Sequence, residues 1–276
     1  MAVDFEAAFD TVSWEFLTEA LHCYNFGPYC IRMLKTFYLN SNNFSRIILD
    51  GFLGPKISMG RGIRQGDPIS GYLFNLIMEP LTNQILQAKN IKGIRVTSES
   101  EVRLSQYADD LIIFSRVEQD SVKAALHELE EFHKVSGLRV NIDKTKCLQI
   151  GKEVDCSFLS FAEVRLVREL KVLGILYSNS NTNIVEQNLN QVLPKVKQEI
   201  AQWKRRHLTL IGKITVIKSM VIWKLVHLFS SLPNPSNAEL RMINSIIFKY
   251  LWNDGPDKIT RTKLVQDYCL GGFEDD

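Results

Sequence analysis

Long uninterrupted apolar runs are absent from this chain of 276 residues. No stretch approaches the 18 apolar residues that a membrane helix needs, so no membrane span is expected. The cysteines are few, odd in number and without framework spacing, which favours reduced intracellular thiols over disulfides. They are Cys23, Cys30, Cys147, Cys156 and Cys269. No His/Cys group has the spacing of a zinc site. The formal net charge is only +2, so any basic surface is local.

The chain is long enough, at 45% hydrophobic residues, to form a main domain with a helical appendage. We predict a first domain over 1–183 and a helical, basic second domain over 184–276. Helical periodicity begins after Ser13, a predicted N-cap, and again after Pro68 and near Ser121 and Asn237. The dipeptide Asp50-Gly51 predicts a hairpin turn.

Two adjacent carboxylates, Asp109 and Asp110, lie between apolar segments that are predicted to be strands. Their like charges repel, and a divalent cation would relieve that repulsion because hard cations prefer carboxylate oxygens. The strand tip is therefore a candidate metal site. A polar hairpin turn is the alternative, since Asp is also a common turn residue.

A third carboxylate is present at Asp4, where a short apolar strand ends. A two-metal phosphoryl-transfer site needs such a carboxylate from elsewhere in the fold. Two ions roughly 3.5–4 Å apart can activate an attacking hydroxyl and neutralise a leaving group.

Five motifs occur in order along the chain: DFEAAFD (4–10), RGIRQGDPIS (61–70), YADD (107–110), SGLRVNIDKTK (136–146) and LKVLGI (170–175). Their order resembles the palm of a reverse transcriptase from a non-LTR (LINE-type) retrotransposon. The resemblance extends from Asp4 to about Gly272. It implies an RNA-directed DNA polymerase, a nucleotidyltransferase that adds dNTPs to a primer 3′-hydroxyl with two Mg²⁺ ions, for which Mn²⁺ can substitute.

The resemblance also implies roles for single residues. Asp4, Asp109 and Asp110 resemble the catalytic, metal-binding triad, and Phe5 resembles the residue whose backbone carbonyl helps to hold a metal. Phe9 resembles the bulky gate beneath the nucleotide sugar, which favours dNTPs over rNTPs. Asp10, in contrast, is expected to be a structural turn or capping residue.

The glycine-rich loop before the second helix is predicted to contact the nucleotide. In the family, the residues that match Gln65 and Gly66 lie against the incoming nucleotide and the template base, and Tyr107 is assigned to the same nucleotide site. Arg61 and Arg64 are candidate phosphate contacts. Solvated arginines are the alternative, because Arg is mostly exposed.

Two further candidates follow the strand tip. Lys144 matches a family lysine near the active site and could donate a proton to pyrophosphate; an ordinary surface lysine is the alternative. Gly174 lies in a segment that resembles the primer-grip hairpin, where glycine would permit close approach of a nucleic-acid backbone. By composition alone that segment is merely a strand.

The C-terminal third is predicted to be helical and locally basic. Between Lys195 and Lys224 there are eight Lys or Arg residues (195, 197, 204, 205, 206, 213, 218 and 224) and one acid, Glu199. Such clustering predicts nucleic-acid contact, and the segment from Trp203 to Lys218 resembles the thumb of the same family. The predicted contacts are Lys204, Arg205, Arg206, Lys213 and Lys218. A solvated basic face is the alternative.

The expected fold is α+β: a right-hand polymerase palm with an antiparallel sheet, partial fingers and a helical thumb. The implied partners are an RNA template, a DNA primer or RNA–DNA hybrid, and dNTPs, with no membrane. The implied location is intracellular, in nucleus and cytoplasm as a ribonucleoprotein. Fingers strands and an endonuclease would precede Asp4 in this family, so the chain is expected to be a fragment or a decayed copy.

Two alternatives remain open at this level. A catalytically inactive remnant of a retroelement would bind nucleic acid through the basic helices without incorporating nucleotides. A group II intron or retron enzyme would share the palm, and only the pattern after Trp203 argues against it.

Overall fold

The computed structural model describes residues 1–38, 43–98, 100–151, 154–180, 183–264 and 266. The chain forms two compact units, Met1–Leu173 and Gly174–Asp276. The predicted boundary after residue 183 lies ten residues beyond this division, because a strand that begins at Ile175 packs on the first helix of the second unit. Among the described residues, Cys23, Cys30, Cys147 and Cys156 are free thiols; Cys269 lies outside them.

The first unit mixes helices and strands. Its α-helices are α1 (Ala8–Thr11), α2 (Trp14–Cys23), α3 (Pro28–Phe37), α4 (Ser70–Gln87) and α5 (Gln119–Ser136), and a 3₁₀-helix spans Ser157–Ala162. Its strands are β1 (Ala2–Val3), β2 (Phe44–Ser45), β3 (Ile48–Leu49), β4 (Phe52–Leu53), β5 (Ile57–Ser58), β6 (Ile94–Arg95), β7 (Glu101–Val102), β8 (Leu104–Tyr107), β9 (Asp110–Ile113), β10 (Lys146–Leu148), β11 (Arg165–Val167) and β12 (Glu169–Val172).

The second unit is mainly helical. It contains β13 (Ile175–Ser178), α6 (Ile184–Lys204), α7 (Leu210–Val216), a π-helical segment (Ile217–Ile222), α8 (Trp223–Ser231), α9 (Asn237–Leu251) and α10 (Arg261–Leu264). The buried Asn188 side chain joins α6 to β13, because it accepts from the Leu176 amide and donates to the Leu176 carbonyl, both at 2.8 Å. Ser236 caps α9 in a capping box with Glu239.

The central sheet of the first unit has the strand order β11-β10-β1-β9-β8. Strands β10, β1, β9 and β8 pair antiparallel, as expected, but β10 and β11 pair in parallel. The expectation of a wholly antiparallel sheet was therefore wrong at this edge. A parallel pair needs a crossover connection, and the chain between β10 and β11 includes the 3₁₀-helix, which packs on both α5 and β11.

Helices cover one face of this sheet. Helix α4 packs against α2 and α5, and its buried side chains Leu73, Phe74, Ile77, Met78, Leu81 and Ile85 form the centre of the core. The sheet contributes Val3, Leu111 and Ile113 to the same core. The predicted N-cap at Ser13 is confirmed, since its hydroxyl accepts from the Phe16 amide at 3.2 Å.

The helical run Leu210–Ser231 is 22 residues long, with a mean hydropathy of 1.3 over its most apolar window, and could cross a membrane by length and composition alone. No membrane span was expected from the sequence. Length and composition are weak evidence here, since Val216, Ile217, Val221, Leu225 and Leu228 of the run pack in the core of the second unit.

Candidate active site

The two adjacent carboxylates lie at the tip of the β8–β9 hairpin. Tyr107 pairs with Asp110, which leaves Ala108 and Asp109 as the turn. Ala108 has a φ of 52°, in the left-handed region that non-glycine residues rarely adopt. Residues in such unfavourable backbone conformations are common at active sites, where the surrounding structure holds them in that conformation.

Asp4 lies beside this tip because of strand register. Val3 pairs with Leu111 across β1 and β9, so continuing the register by one residue places Asp4 opposite Asp110. Val3 and Leu111 are buried in the core, and side chains alternate along a strand. Asp4 and Asp110 therefore project from the face of the sheet that points away from the core.

The three carboxylates influence one another electrostatically. The pKa of Asp110 is raised above its ordinary value, first because the site is partly desolvated and then because the Asp109 and Asp4 carboxylates repel its charge. The carboxylates predicted from far-separated segments therefore lie within electrostatic reach of each other.

The donor set fits a hard divalent cation, because it consists of carboxylate oxygens alone. Within the described residues, however, no three His, Cys, Asp or Glu side chains are already arranged to hold a metal ion. A cation bound there would relieve the repulsion that Asp109 and Asp4 exert on Asp110. Phe5 is buried and forms an isolated antiparallel β-bridge with Val140. The two hydrogen bonds of this bridge are made by the Asp4 carbonyl, which accepts from the Asn141 amide, and by the Glu6 amide, which donates to the Arg139 carbonyl. Neither of these two hydrogen bonds uses the Phe5 carbonyl.

Phe9 is held by the core of the first unit. Its ring stacks on Phe74 with the centroids 4.5 Å apart and 18° between the planes. Its carbonyl accepts from the Ile63 amide at 2.6 Å, which joins the segment after Asp4 to the glycine-rich loop.

The glycine-rich loop lies directly against the segment 9–12. The Gly62 amide donates to the Val12 carbonyl at 2.8 Å, and the Trp14 indole donates to the Gly62 carbonyl at 2.7 Å. Gly62 has a φ of 93°, and a Cβ at this position would lie 2.7 Å from the Asp10 carbonyl oxygen. Glycine is thus required here by both conformation and space, and Asp10 contributes its backbone.

A buried polar network supports the other end of this loop. The Tyr38 hydroxyl donates to Asp67 at 3.0 Å and lies 3.1 Å from the Ser70 hydroxyl, which donates to the Arg64 carbonyl at 2.6 Å. Burial, followed by the nearby Asp67 carboxylate, raises the pKa of Tyr38, although the Ser70 hydrogen bond acts in the opposite direction. The network leaves Gln65 and its neighbour Gly66 exposed.

The arginines of the loop are also at the surface. Arg61 is exposed, and the Arg64 guanidinium is exposed while lying 6.0 Å from the centre of the Tyr38 ring. Tyr107 is 69% exposed and lines a cleft with Tyr72 of α4.

Sequence reasoning missed the residues that hold the strand tip. Gln106 donates to the Ala108 carbonyl at 3.2 Å, and its side-chain oxygen accepts from Thr82 of α4 at 2.7 Å. It likewise missed Trp14 and Tyr38. These contacts join residues from different segments, and periodicity reported only that Trp14 begins a helix.

Lys144 is exposed on a tight turn that is bonded to Asp4. The Lys144 amide donates to the Asn141 side-chain oxygen at 3.1 Å, and the Asn141 amide donates to the Asp4 carbonyl at 2.8 Å. The turn that carries Lys144 is therefore attached to the backbone of the first predicted metal ligand.

One predicted nucleic-acid contact in the second unit, Lys213, lies inside the structure. Lys213 is only 7% exposed, and its ammonium donates to the Leu251 carbonyl at 3.0 Å and to Asn253 at 2.7 Å. Its role is therefore structural. Gly174 is exposed, and His227 Nε2 would lie 3.2 Å from a Cβ added there, so its predicted contact stays a prediction.

The other predicted basic contacts are exposed. Lys204 forms an ion pair with Asp254, and the Arg206 guanidinium lies 4.6 Å from the centre of the Trp203 ring. Arg205 and Lys218 are exposed as well.

Comparisons with known proteins show which family the chain resembles. Residues 1–177 match the family model described as "Reverse transcriptase (RNA-dependent DNA polymerase)". The chain is 30% identical to the "Transposon TX1 uncharacterized 149 kDa protein" of Xenopus laevis over 91% of this chain and 19% of that protein. It is 27% identical to the "Retrovirus-related Pol polyprotein from type-2 retrotransposable element R2DM" of Drosophila melanogaster over 54% of this chain and 13% of that protein.

A similarity of the same kind extends over most of the chain in a third relative. The "Retrovirus-related Pol polyprotein from type-1 retrotransposable element R2" of Nasonia vitripennis is 24% identical over 90% of this chain and 24% of that protein. The chain thus spans about a fifth of the length of these relatives.

Proposed function

Because the chain belongs to the reverse transcriptase (RNA-dependent DNA polymerase) family, we propose that it is the polymerase domain of a non-LTR retrotransposon protein. Its reaction would be the addition of dNTPs to a primer 3′-hydroxyl, directed by an RNA template. The observation that carries the proposal is the register that sets Asp4 opposite Asp110, beside Asp109.

In this proposal Asp4, Asp109 and Asp110 hold divalent cations, two Mg²⁺ ions with Mn²⁺ as a substitute, assisted by the Phe5 carbonyl. When bound, such ions make the attacking hydroxyl more acidic and neutralise charge on the leaving phosphate. The raised pKa of Asp110 supports the assignment, because a cation at the site would relieve the repulsion that Asp109 and Asp4 exert on it.

The nucleotide would lie between Phe9 and the glycine-rich loop. Phe9 is fixed by Phe74, so its ring could exclude a 2′-hydroxyl instead of moving aside. Gln65 and Gly66 are exposed on a loop whose two ends are held by Trp14 and Tyr38, and Tyr107 is exposed at the strand tip. Lys144 is exposed and available to donate a proton to the leaving pyrophosphate.

The nucleic-acid partners would be an RNA template with a DNA primer, or an RNA–DNA hybrid. Exposed Arg205, Arg206 and Lys218 in the second unit, and Arg61 and Arg64 in the first, supply positive charge for backbone phosphates. We further propose that the protein acts inside the cell, in nucleus and cytoplasm, as a ribonucleoprotein, and that its architecture is a polymerase palm with partial fingers and a helical thumb.

The test is dTTP incorporation on a poly(rA)·oligo(dT) hybrid with Mg²⁺, beside the Asp109→Asn variant. Incorporation by the unmodified chain and its loss by more than about 100-fold in Asp109→Asn are expected, since even the outer partners of metal ligands contribute 10–100-fold. Exposed Asp50, in the turn between β3 and β4, changed to Asn, is the matched control with the same loss of charge.

Hybrid binding is measured in the same samples. Salt-dependent binding without incorporation would contradict the polymerase and favour a catalytically inactive, nucleic-acid-binding remnant. Equal incorporation by Asp109→Asn would refute the assignment of that carboxylate.

A further inference from the structure

A turn at residues 141–145, called here the 141–145 turn, binds both backbone polar groups of Asp4. The Asn141 amide donates to the Asp4 carbonyl at 2.8 Å. The Asp4 amide in turn donates to the Thr145 hydroxyl at 3.3 Å. Both the carbonyl and the amide of Asp4 are thus hydrogen-bonded to this turn, on the side of the backbone opposite Asp110.

The Thr145 hydroxyl is the central atom of this attachment. Thr145 is fully buried, and its hydroxyl donates to the Asn141 carbonyl at 2.8 Å while accepting from Asp4. A hydroxyl has one proton to donate and can also accept, so both capacities are used here. Valine has nearly the same shape and could make neither hydrogen bond.

The same turn carries Lys144. Its amide donates to the Asn141 side-chain oxygen at 3.1 Å, and the Thr145 amide donates to the Asn141 carbonyl at 2.9 Å. Hydrogen bonds within the turn therefore fix its conformation. The Lys144 side chain is exposed and directly precedes Thr145, which binds the Asp4 amide.

Strand β1 pairs with β10 on one edge, through Ala2 and Lys146. It pairs with β9 on the other edge, where the register continues from Val3 and Leu111 to Asp4 and Asp110. Strand β1 is two residues long, so the paired ladder ends before Asp4 is reached. The 141–145 turn supplies the contacts that the short strand lacks.

We infer that Thr145 is a positioning residue of the candidate active site. Its buried hydroxyl holds the Asp4 backbone in register with Asp110 and at the same time holds the turn that presents Lys144. This inference rests on the proposed function for the roles of Asp4 and Lys144, whereas the contacts themselves are independent of it.

The experiment compares Thr145→Val with Thr145→Ser, which retains the hydroxyl. The matched control is Thr18→Val, because the Thr18 hydroxyl, among the residues that the structure describes, donates to the Trp14 carbonyl of its own helix at 2.9 Å. Mn²⁺ binding is titrated by electron paramagnetic resonance, and thermal unfolding verifies that each variant is folded. The Mg²⁺ concentration for half-maximal dTTP incorporation and the KM for dTTP are measured on the same preparations.

Thr145→Val is expected to weaken Mn²⁺ binding and to raise the half-maximal Mg²⁺ concentration by about 10–100-fold, the range for groups that orient metal ligands. The KM for dTTP should change by less than about three-fold, because the proposed sugar and base contacts, Phe9, Gln65 and Gly66, lie outside this turn. Thr145→Ser and Thr18→Val should retain the unmodified values. If Thr145 only stabilised the fold, Thr145→Val would lower the thermal stability without selectively weakening Mn²⁺ binding.

Unchanged Mn²⁺ binding in folded Thr145→Val would overturn the inference. Weakened Mn²⁺ binding in Thr145→Val that Thr145→Ser restores supports it, even where the unmodified chain incorporates no dTTP; that result would contradict only the proposed function.

If Thr145→Val does not fold, hydrogen exchange of the unmodified protein decides the matter. Mn²⁺ should then slow exchange at the Asp4 amide and at the Thr145 amide together, and slowing at Asp4 alone would overturn the inference.

Discussion

Asp110 lies among groups that disfavour its charge. Desolvation, Asp109 and Asp4 all raise its pKa, and the described residues place no basic side chain in a hydrogen bond or ion pair with it. A group in such surroundings lowers stability for as long as it stays charged. Functional sites commonly retain this kind of cost, because the ligand that relieves it is also the one that the site must bind.

This arrangement gives a pH prediction for the metal-free protein. Because the folded pKa of Asp110 is raised, the folded state retains a proton that the unfolded chain has already released between the ordinary carboxyl pKa and the raised one. The free energy of unfolding should therefore fall as pH rises through that window. Asp110→Asn should reduce this fall, and thermal unfolding in EDTA over a pH series measures it.

The control for that series is Asp50→Asn, an exposed residue of the same unit in the turn between β3 and β4. It should retain the fall seen in the unmodified protein. If Asp110→Asn showed the same pH dependence as the unmodified chain, the repulsion among the three carboxylates would not be an energetic feature of the site.

At the scale of elements, the glycine-rich loop is positioned by contacts at both of its ends. Trp14 at the start of α2 holds Gly62, and Tyr38, directly after α3, holds Asp67 and Ser70. Two helices therefore determine where the exposed Gln65 and Gly66 lie. Periodicity predicted α2 but not α3, and the hydrogen bonds depend on how those helices pack.

Gly62→Ala is expected to destabilise the first unit by about 1–3 kcal/mol, because it forces a side chain into a left-handed conformation against the Asp10 carbonyl. The control is Gly71→Ala in α4, where an added Cβ meets nothing within 4 Å. That change should be neutral or stabilise by up to about 1 kcal/mol, since alanine is the better helix former. Urea unfolding measures both variants, and equal effects would contradict the close approach at Gly62.

At the scale of the whole molecule, the net charge of +2 conceals a local excess of positive charge in the second unit. The structure divides these basic residues into two groups. Lys213 is enclosed and bonded to Leu251 and Asn253, whereas Arg205 and Arg206 remain at the surface. Only the exposed group can release counterions on binding nucleic acid.

Two single changes separate these groups. Arg205→Gln should reduce the slope of log affinity against log salt for hybrid binding by about 1 if this side chain contacts one phosphate. Lys213→Met should leave the slope unchanged but lower stability by about 1–3 kcal/mol, because it leaves buried acceptors unpaired. Salt-dependent fluorescence anisotropy and thermal unfolding measure the two effects, and a reduced slope in Lys213→Met would contradict its structural role.

The sequence by itself determined the chemistry of this protein and most of its helices. Carboxylate doublets, glycine-rich loops and 3.6-residue periodicity are local features, so the YADD tip, the Ser13 cap and helices α4 and α5 could be predicted from neighbouring residues.

Only the tertiary structure decided which distant residues and strands these local features contact. Asp4 faces Asp110 because of the register between β1 and β9, β11 joins β10 in parallel, and Lys213 lies inside the second unit. The physical reason is that these contacts join residues far apart in sequence, where loop closure and packing, not local periodicity, determine which side chains meet.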